Sequence, residues 1–422
     1  MSVTGVMGMD QTIEKIVIVG ASHAGIAFAD QMLRKGFTGS ITLCDKEKGA
    51  PMERPPLSKK FLFDLNDEQA SAKFLLRGAK WYQDNNITLK DGCGVASVDR
   101  DRKIAHLDDG SELEYDLLVL ATGATPRQLP DLATTENAFV LRQPSDAIKL
   151  RDAAKSADQA VIIGGGYIGL EVAATLRQLG KTVHVLEVAD RLLARVASPP
   201  IAAYLETVHQ DHGVNIHTGV SIVGYEMGDG KVSGIHLGDG VKIHADIVVV
   251  GIGVSPDSTL ANVTGIETER PDGGAILVDE HHRTSDPNIM ALGDVALVRE
   301  GRPRVESIHN AQYSAKISVS ALYGEALPSH QAPWFWSDQY DVQLQSVGLV
   351  PMPGDNVEFV TRPGSKENAF SVWSFVDDKL CSVETIRDPK THMIAKRFMD
   401  SGALPTHDQI ADPDFDLFKK TA

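Results

Sequence analysis

The sequence predicts an α/β protein of two Rossmann-like nucleotide-binding domains followed by a C-terminal α+β domain, and three observations carry that expectation. The first is Val161-Ile162-Ile163-Gly164-Gly165-Gly166-Tyr167-Ile168-Gly169-Leu170-Glu171, an apolar strand running through G-x-G-x-x-G into a helix. A second apolar run, Val183-His184-Val185-Leu186, follows and closes on Glu187. The second observation is the same pattern upstream, in Lys15-Ile16-Val17-Ile18-Val19-Gly20-Ala21-Ser22-His23-Ala24-Gly25 and a strand at 41–44 closing on Asp45. The third is the change beyond residue 334 to short alternating strands (342–349, 356–361, 369–376, 379–384) and one helix near 392–400. Residues 1–122 with 250–328 are expected to form the first, discontinuous domain, 123–249 the second and 329–422 the third.

The glycines of the central motif each have a use. Gly164 permits a tight turn, Gly166 lets the backbone approach a pyrophosphate over the helix N-terminus, and Gly169 lets helix and strand pack closely. Tyr167, Ile168 and Glu171 occupy the first turns of that helix and join the candidate cofactor contacts. Glu187 is placed to accept hydrogen bonds from a ribose diol. No arginine directly follows Glu187 to meet a 2′-phosphate, so NADH is expected over NADPH, with Arg191 the nearest cation. The module ends on Ala245-Asp246-Ile247-Val248-Val249-Val250-Gly251-Ile252-Gly253, and Gly253 is counted with the site.

In the upstream module, Gly20, Ser22 and Ala24 form the turn, with Ser22 standing where the middle glycine is expected. The ribose carboxylate is Asp45, or the position is shifted to Lys46. His23 reads as a structural turn residue. Met52-Glu53-Arg54-Pro55-Pro56-Leu57-Ser58-Lys59 is a stiff loop, because two prolines fix φ and remove two donors. It presents Arg54 and Lys59, with Ser58 as a helix cap in the plainer reading. Ile87-Thr88-Leu89 leads into Val95 and a short meander. Tyr115 to Gly123 is a buried strand ending in the small residues Ala121, Thr122 and Gly123, which suits a backbone crossing close to a nucleotide. A helix near 145–155 follows Arg142. Met290-Ala291-Leu292-Gly293-Asp294 returns the chain to the first module, and Arg304 to Ala311 opens a helix of about fifteen residues.

The bulk numbers bound the function. The chain has 422 residues, 42% hydrophobic and 23% charged, with a formal net charge of −16. That charge argues against broad binding to nucleic acid or anionic membrane, and no apolar run is long enough to span a bilayer. Met1 to Glu14 lacks the pattern of a signal peptide and reads as a loose tail; the acidic C-terminal tail is expected to be mobile. Cys44, Cys93 and Cys381 form no C-x-x-C, which fits a reducing cytoplasm. His281, His282 and His309 show no ligand spacing, so no metal is expected.

The two glycine turns, Ala-Thr-Gly at 121–123, Gly-Asp at 293–294 and their order resemble the glutathione-reductase-like flavoproteins. Arg54 to Lys59, Tyr167 to Glu171 and Trp334 to Tyr340 narrow the resemblance. Together they are similar to the NADH:ferredoxin reductases of bacterial oxygenase systems (the rubredoxin and putidaredoxin reductase type) and to apoptosis-inducing-factor-like oxidoreductases. The resemblance implies FAD in the first module and NADH in the second. The family's FAD contacts map onto Ala24, Asp45 or Lys46, Arg54, Lys59, Val95, Thr122, Gly123, Arg142, Asp294, Ile308 and Trp336. Ile308 would start a helix whose N-terminal amides favour the charge of reduced flavin.

The implied activity is a relay: hydride from NADH to FAD, then single electrons to a [2Fe-2S] ferredoxin feeding an oxygenase. Lys59 and Glu171 are the candidate catalytic residues, an ion pair beside the reacting ring. Trp336 is a core anchor, a flavin lid or a stepping point for electrons. The stretch from Lys46 to Arg54 has no cysteine, which argues against disulfide reduction. An NADH oxidase or quinone reductase of the same fold is the alternative, and a redox-sensing flavoprotein with an interaction role is the third reading. Arg302, Arg304, Lys316, Lys396 and Arg397 are candidate members of a basic docking patch, and a monomer or weak dimer is expected.

Overall fold

The computed structural model describes residues 13–63, 70–270, 273–299, 303–352 and 356–419. Most of the expected N-terminal tail and Arg302 lie outside them. The chain divides into two compact units: Met1–Arg54, Glu68–Thr125 and Val254–Ser329 form one, and Pro55–Asp67, Pro126–Gly253 and His330–Ala422 the other.

The first unit is built on a five-stranded parallel sheet, ordered Ile289–Ala291, Leu117–Leu120, Lys15–Val19, Ser40–Asp45, Ile87–Asp91. Its strands are continuous apolar runs because both faces of the parallel sheet are covered; Ile16 to Val19 and Leu117 to Leu120 are buried throughout. On one side the helix His23–Arg34 packs against the helix Ile308–Leu322, with Phe28, Ala29, Met32, Ala315 and Val319 in the shared core. On the other side lies the three-stranded meander Val95–Asp99, Ile104–Leu107, Glu112–Glu114. Ile87–Asp91, read as a lead-in to that meander, is instead the edge strand of the parallel sheet.

The second unit repeats the plan. Its parallel sheet runs Asn215–His217, Thr182–Leu186, Gln159–Ile163, Ile247–Val250, Ala138–Phe139. The helix Tyr167–Gln178 follows the glycine turn, and the helix Pro199–Asp211 precedes the strand Asn215–His217. The same unit holds a five-stranded antiparallel sheet ordered Trp334–Gln339, Val342–Gly348, Lys379–Ile386, Phe370–Val376, Val357–Pro363. Against it lies the helix Pro389–Ser401, capped by the Asp388 carboxylate on the Thr391 amide.

The tail after this helix corrects the expectation of mobility: as far as Lys419 it is docked. Ile410 and Leu417 are buried in the core of the antiparallel sheet. The Arg362 guanidinium donates to the carbonyls of Ile410, Asp412 and Phe415 at 3.0–3.1 Å. One arginine fork thus collects backbone acceptors that no regular element satisfies.

Candidate active site

Each unit holds its glycine turn in the same set of bonds. In the first, Gly20 N–H donates to Cys44 O at 2.8 Å; in the second, Gly164 N–H donates to Leu186 O at 2.8 Å. Gly20 and Gly164 have φ of 106° and 109°, and a Cβ on either would lie 2.2 Å from Ala121 O or 2.5 Å from Gly251 O. Gly25 and Gly169 repeat the constraint, since their Cβ would lie 2.0 and 2.2 Å from the turn carbonyls Gly20 O and Gly164 O. Ala121 crosses at Gly20 with its N–H on Val19 O, and Gly251 crosses at Gly164 with its N–H on Ile163 O.

The acids that close the second strands are equivalent as well. Asp45 accepts from the amides of Ala21 (2.8 Å) and Glu47 (2.9 Å). Glu187 accepts from the amides of Gly165 (2.7 Å) and Ala189 (2.8 Å). The shifted alternative, Lys46, faces another way, with its ammonium 3.9 Å from the Asp257 carboxylate.

Ser22 now has a physical account. The positions of Ser22 and Gly166 are both extended N-caps, at φ −85° and −81°, so neither backbone requires glycine. Ser22 Oγ accepts from Arg54 Nε at 3.3 Å, which ties the turn to the cationic loop. A Cβ on Gly166 would meet nothing within 4 Å. Neither N-cap makes a side-chain cap bond. The combination fits a dinucleotide pyrophosphate in each unit: an extended cap, open space beside Gly166, amides directed along the helix axis and an acid bonded to the turn.

The remaining candidates fall in different surroundings. Thr122 Oγ1 donates to Asp257 O at 2.6 Å, and Gly123 O accepts from Asp257 N–H at 3.0 Å. Gly253 O accepts from Arg127 N–H at 2.9 Å. Val95 is buried beside Cys44 and Cys93. Asp294 lies in the turn Gly293–Val295, and its carbonyl accepts from Arg304 at 2.8 Å. Ile308 is the first residue of its helix, with Ser307 Oγ accepting from Asn310 N–H at 3.0 Å. Arg142 belongs to the second unit, and its amide donates to Asp146 at 3.0 Å. Tyr167 packs against Phe335 with ring centroids 4.4 Å apart and tilted by 50°, and burial pushes its phenol well above the usual range. Ile168 is exposed. Trp336 stacks on Trp334 at 5.5 Å.

Lys59 and Glu171 come together within the second unit. Lys59 Nζ lies 2.6 Å from Glu171 Oε2, with side-chain exposures of 18% and 3%. Sequence reasoning missed the two hydroxyls that complete the site. Ser58 Oγ donates to Glu171 Oε2 at 2.5 Å, and Ser337 Oγ donates to Oε1 at 2.6 Å. Ser58 is therefore a buried ligand of the carboxylate, where a surface cap was the plainer reading. Glu171 and Thr175 share one helix face at i, i+4, and Thr175 Oγ1 holds the Ser58 carbonyl at 2.8 Å. Residues 335, 337 and 339 alternate to one side of their strand, which brings Phe335 onto Tyr167 and Ser337 onto Glu171.

The cysteines offer no reactive thiol at this site. Burial, and then the proximity of Cys93, push Cys44 up to about 12, the opposite of an activated nucleophile. Among the described residues no group of three or more His, Cys, Asp or Glu side chains could hold a metal, and no helix is long and apolar enough to cross a membrane.

Two successive glycine-turn dinucleotide cradles on one chain, with a buried Lys–Glu pair, define a two-nucleotide oxidoreductase. The chain belongs to the pyridine nucleotide-disulphide oxidoreductase family, whose pattern it matches over residues 14–315, with a reductase C-terminal domain over residues 334–421. It is 39% identical over 407 residues to rhodocoxin reductase of Rhodococcus erythropolis, covering 95% of this chain and 93% of the relative. Among solved structures, it resembles the covalent putidaredoxin reductase–putidaredoxin complex at 36% identity and a TM-score of 0.88, covering 96% and 97% of the two chains. A ferredoxin reductase from Rhodopseudomonas palustris is 36% identical with a TM-score of 0.89, covering 97% of this chain and 100% of the other. Membership implies a flavin and a pyridine nucleotide as cofactors.

Proposed function

We propose that the protein is an FAD-dependent ferredoxin–NAD(+) reductase, taking a hydride from NADH and passing electrons singly to a [2Fe-2S] ferredoxin that feeds an oxygenase. The observation that carries this reading is the pair of matching cradles, in which Asp45 and Glu187 hold the same position on the two glycine turns. Two relatives of near-full length are ferredoxin reductases, and a solved complex of one relative holds its putidaredoxin.

In the first unit Gly20, Ser22, Ala24, Asp45, Arg54, Val95, Ala121, Thr122, Gly123, Asp294 and the helix starting at Ile308 would hold FAD. In the second, Gly164, Gly166, Tyr167, Ile168, Glu187 and Gly253 would hold NADH. The flavin supplies the conversion of a two-electron donor to single-electron delivery; the chain supplies binding, orientation and charge. NADH is favoured over NADPH because Arg191 is already engaged. Its guanidinium donates to the carbonyls of Leu192, Ala194 and Ala197 at 3.0–3.2 Å. The Lys59–Glu171 pair fixes one positive charge in a largely dry setting, where it acts on the redox step more strongly than it would in water. Free, mostly buried cysteines suit a reducing cytoplasm.

The test is direct. The purified protein is expected to be yellow, to bleach on anaerobic addition of NADH, and then to reduce an added [2Fe-2S] ferredoxin faster than oxygen or a quinone. A colourless protein that takes up no flavin overturns the proposal; faster turnover with oxygen or a quinone assigns it to the oxidase or quinone reductase class.

A further inference from the structure

Glu171 does not end the polar chain that begins at Lys59. Ser337 Oγ, which donates to Glu171 Oε1, itself accepts from Gln339 Nε2 at 3.1 Å. Gln339 Oε1 lies 2.8 Å from His209 Nε2. His209 Nδ1 lies 3.5 Å from the Tyr340 hydroxyl. Ser337, Gln339 and His209 are each at most 1% exposed, so these groups have little water to turn to.

The direction of every bond follows from the carboxylate. An ionised carboxylate only accepts, so Ser337 must spend its one proton on Glu171. Gln339 must then present its amide N–H to Ser337 and its carbonyl to the histidine. His209 must carry its proton on Nε2, leaving Nδ1 as the acceptor. The donors therefore point one way, from helix Pro199–Asp211 through strand Trp334–Gln339 to helix Tyr167–Gln178. The outer end is held by ring contacts. Tyr340 sits at φ +54°, where a bulky side chain is rare. Its ring stacks on His212 at 3.7 Å and meets His209 edge-on at 5.2 Å.

We propose that Ser337, Gln339 and His209 are positioning residues for the Lys59–Glu171 pair: each fixes the orientation of the next, and together they hold the carboxylate against the lysine. The proposal rests on the reading that the pair serves the redox step, and extends it to residues that touch neither nucleotide cradle. His209→Leu removes the donor to Gln339 Oε1 and frees the Gln339 amide to turn over. An alanine at 337 removes a direct bond to the carboxylate.

The experiment compares Ser337→Ala and His209→Leu with the conservative Ser337→Thr and His209→Gln, which keep a donor at each place. Two quantities are read in the full-length purified protein: the rate at which acetic anhydride labels Lys59, by peptide mass spectrometry, and the rate of flavin bleaching by NADH. Lys59 labelling is expected to rise about three-fold or more in the Ala and Leu variants, within the range of one net intramolecular hydrogen bond lost, and to stay near wild type in Thr and Gln. Bleaching is expected to slow in the same order. Equal labelling in wild type, Ser337→Ala and His209→Leu overturns the proposal, as does an equal rise in all four variants. If Ser337→Ala does not fold, the His209 pair decides alone. Labelling that follows the expected order while bleaching is unchanged there and in Lys59→Met keeps the positioning and removes the redox role of the pair.

Discussion

Lys59 Nζ lies 2.6 Å from Glu171 Oε2, yet the carboxylate is the deeper partner, 3% exposed against 18% for the lysine. Removing the lysine leaves a buried charge held by two hydroxyls, Ser58 and Ser337. Lys59→Met is therefore expected to fold with a loss of about 3–5 kcal/mol and to slow flavin reduction by NADH by about ten-fold or more. Stopped-flow absorbance checks this; an unchanged rate takes Lys59 out of the mechanism.

Two glycines, one from each turn, make opposite predictions. Gly20→Ala puts a Cβ 2.2 Å from Ala121 O at a φ of 106°, and is expected to cost about 3 kcal/mol or more and to lose flavin. Gly166→Ala meets nothing within 4 Å at a φ of −81°. Its stability should stay within about 0.5 kcal/mol of wild type, while the KM for NADH rises because the new methyl enters the space kept for the pyrophosphate. Urea unfolding and steady-state kinetics separate the two effects.

Nucleotide choice is expected to favour NADH by about ten-fold or more in kcat/KM, since no arginine directly follows Glu187 and the Arg191 guanidinium is held by three backbone carbonyls. Val188, the next residue, is 78% exposed. Val188→Arg should narrow the ratio by improving NADPH, measured with both nucleotides at one ionic strength; an unchanged ratio would place the selection elsewhere.

Buried histidines should make the fold lose stability toward acid. Burial holds His209 down to about 4, against the Gln339 bond, and holds His392 down to about 4 with help from Lys396. Both are neutral in the fold and protonate more readily when unfolded. Their contribution is present above pH 6.5 and is lost as pH falls from there through 4, by about 3 kcal/mol each. Urea midpoints at pH 7.5, 6 and 5 should fall in that order, and His392→Gln should flatten the decline.

Glu384 should act in the opposite sense. Burial pushes its carboxyl up to about 7, opposed by bonds to Ser198 and by Arg191. A raised acid contributes stability below its unfolded value near 4.5 that is lost as pH rises through 7. Glu384→Gln is expected to be more stable than wild type at pH 8, by at most about 3 kcal/mol, and to lose that advantage at pH 5.

Legibility in the sequence followed the range of the constraint. The glycine turns, the acids after the second strands and the helix from Ile308 are local features, set by close approach, strand alternation or capping within a few dozen residues. Ser58 and Ser337 were not legible as partners of Glu171. Hydroxyls carry no pattern, and their bonds join residues 113 and 166 positions apart. The docking of the tail was hidden for a related reason: a single arginine, Arg362, gathers carbonyls about fifty residues downstream. The place of Ile87–Asp91 was missed because an edge strand is half exposed and lacks the solid apolar run of its neighbours.

The first unit is interrupted by the second, and synthesis must respect that order. The parallel sheet between Ala138 and Val250 comes from one unbroken stretch of chain. The sheet that begins at Lys15 lacks its last strand until Ile289–Ala291 has left the ribosome, and lacks a covering helix until Leu322 has followed. The earlier half of the polypeptide thus waits, partly open, while the later half closes. During that interval its apolar strands are the segment most in need of chaperone protection.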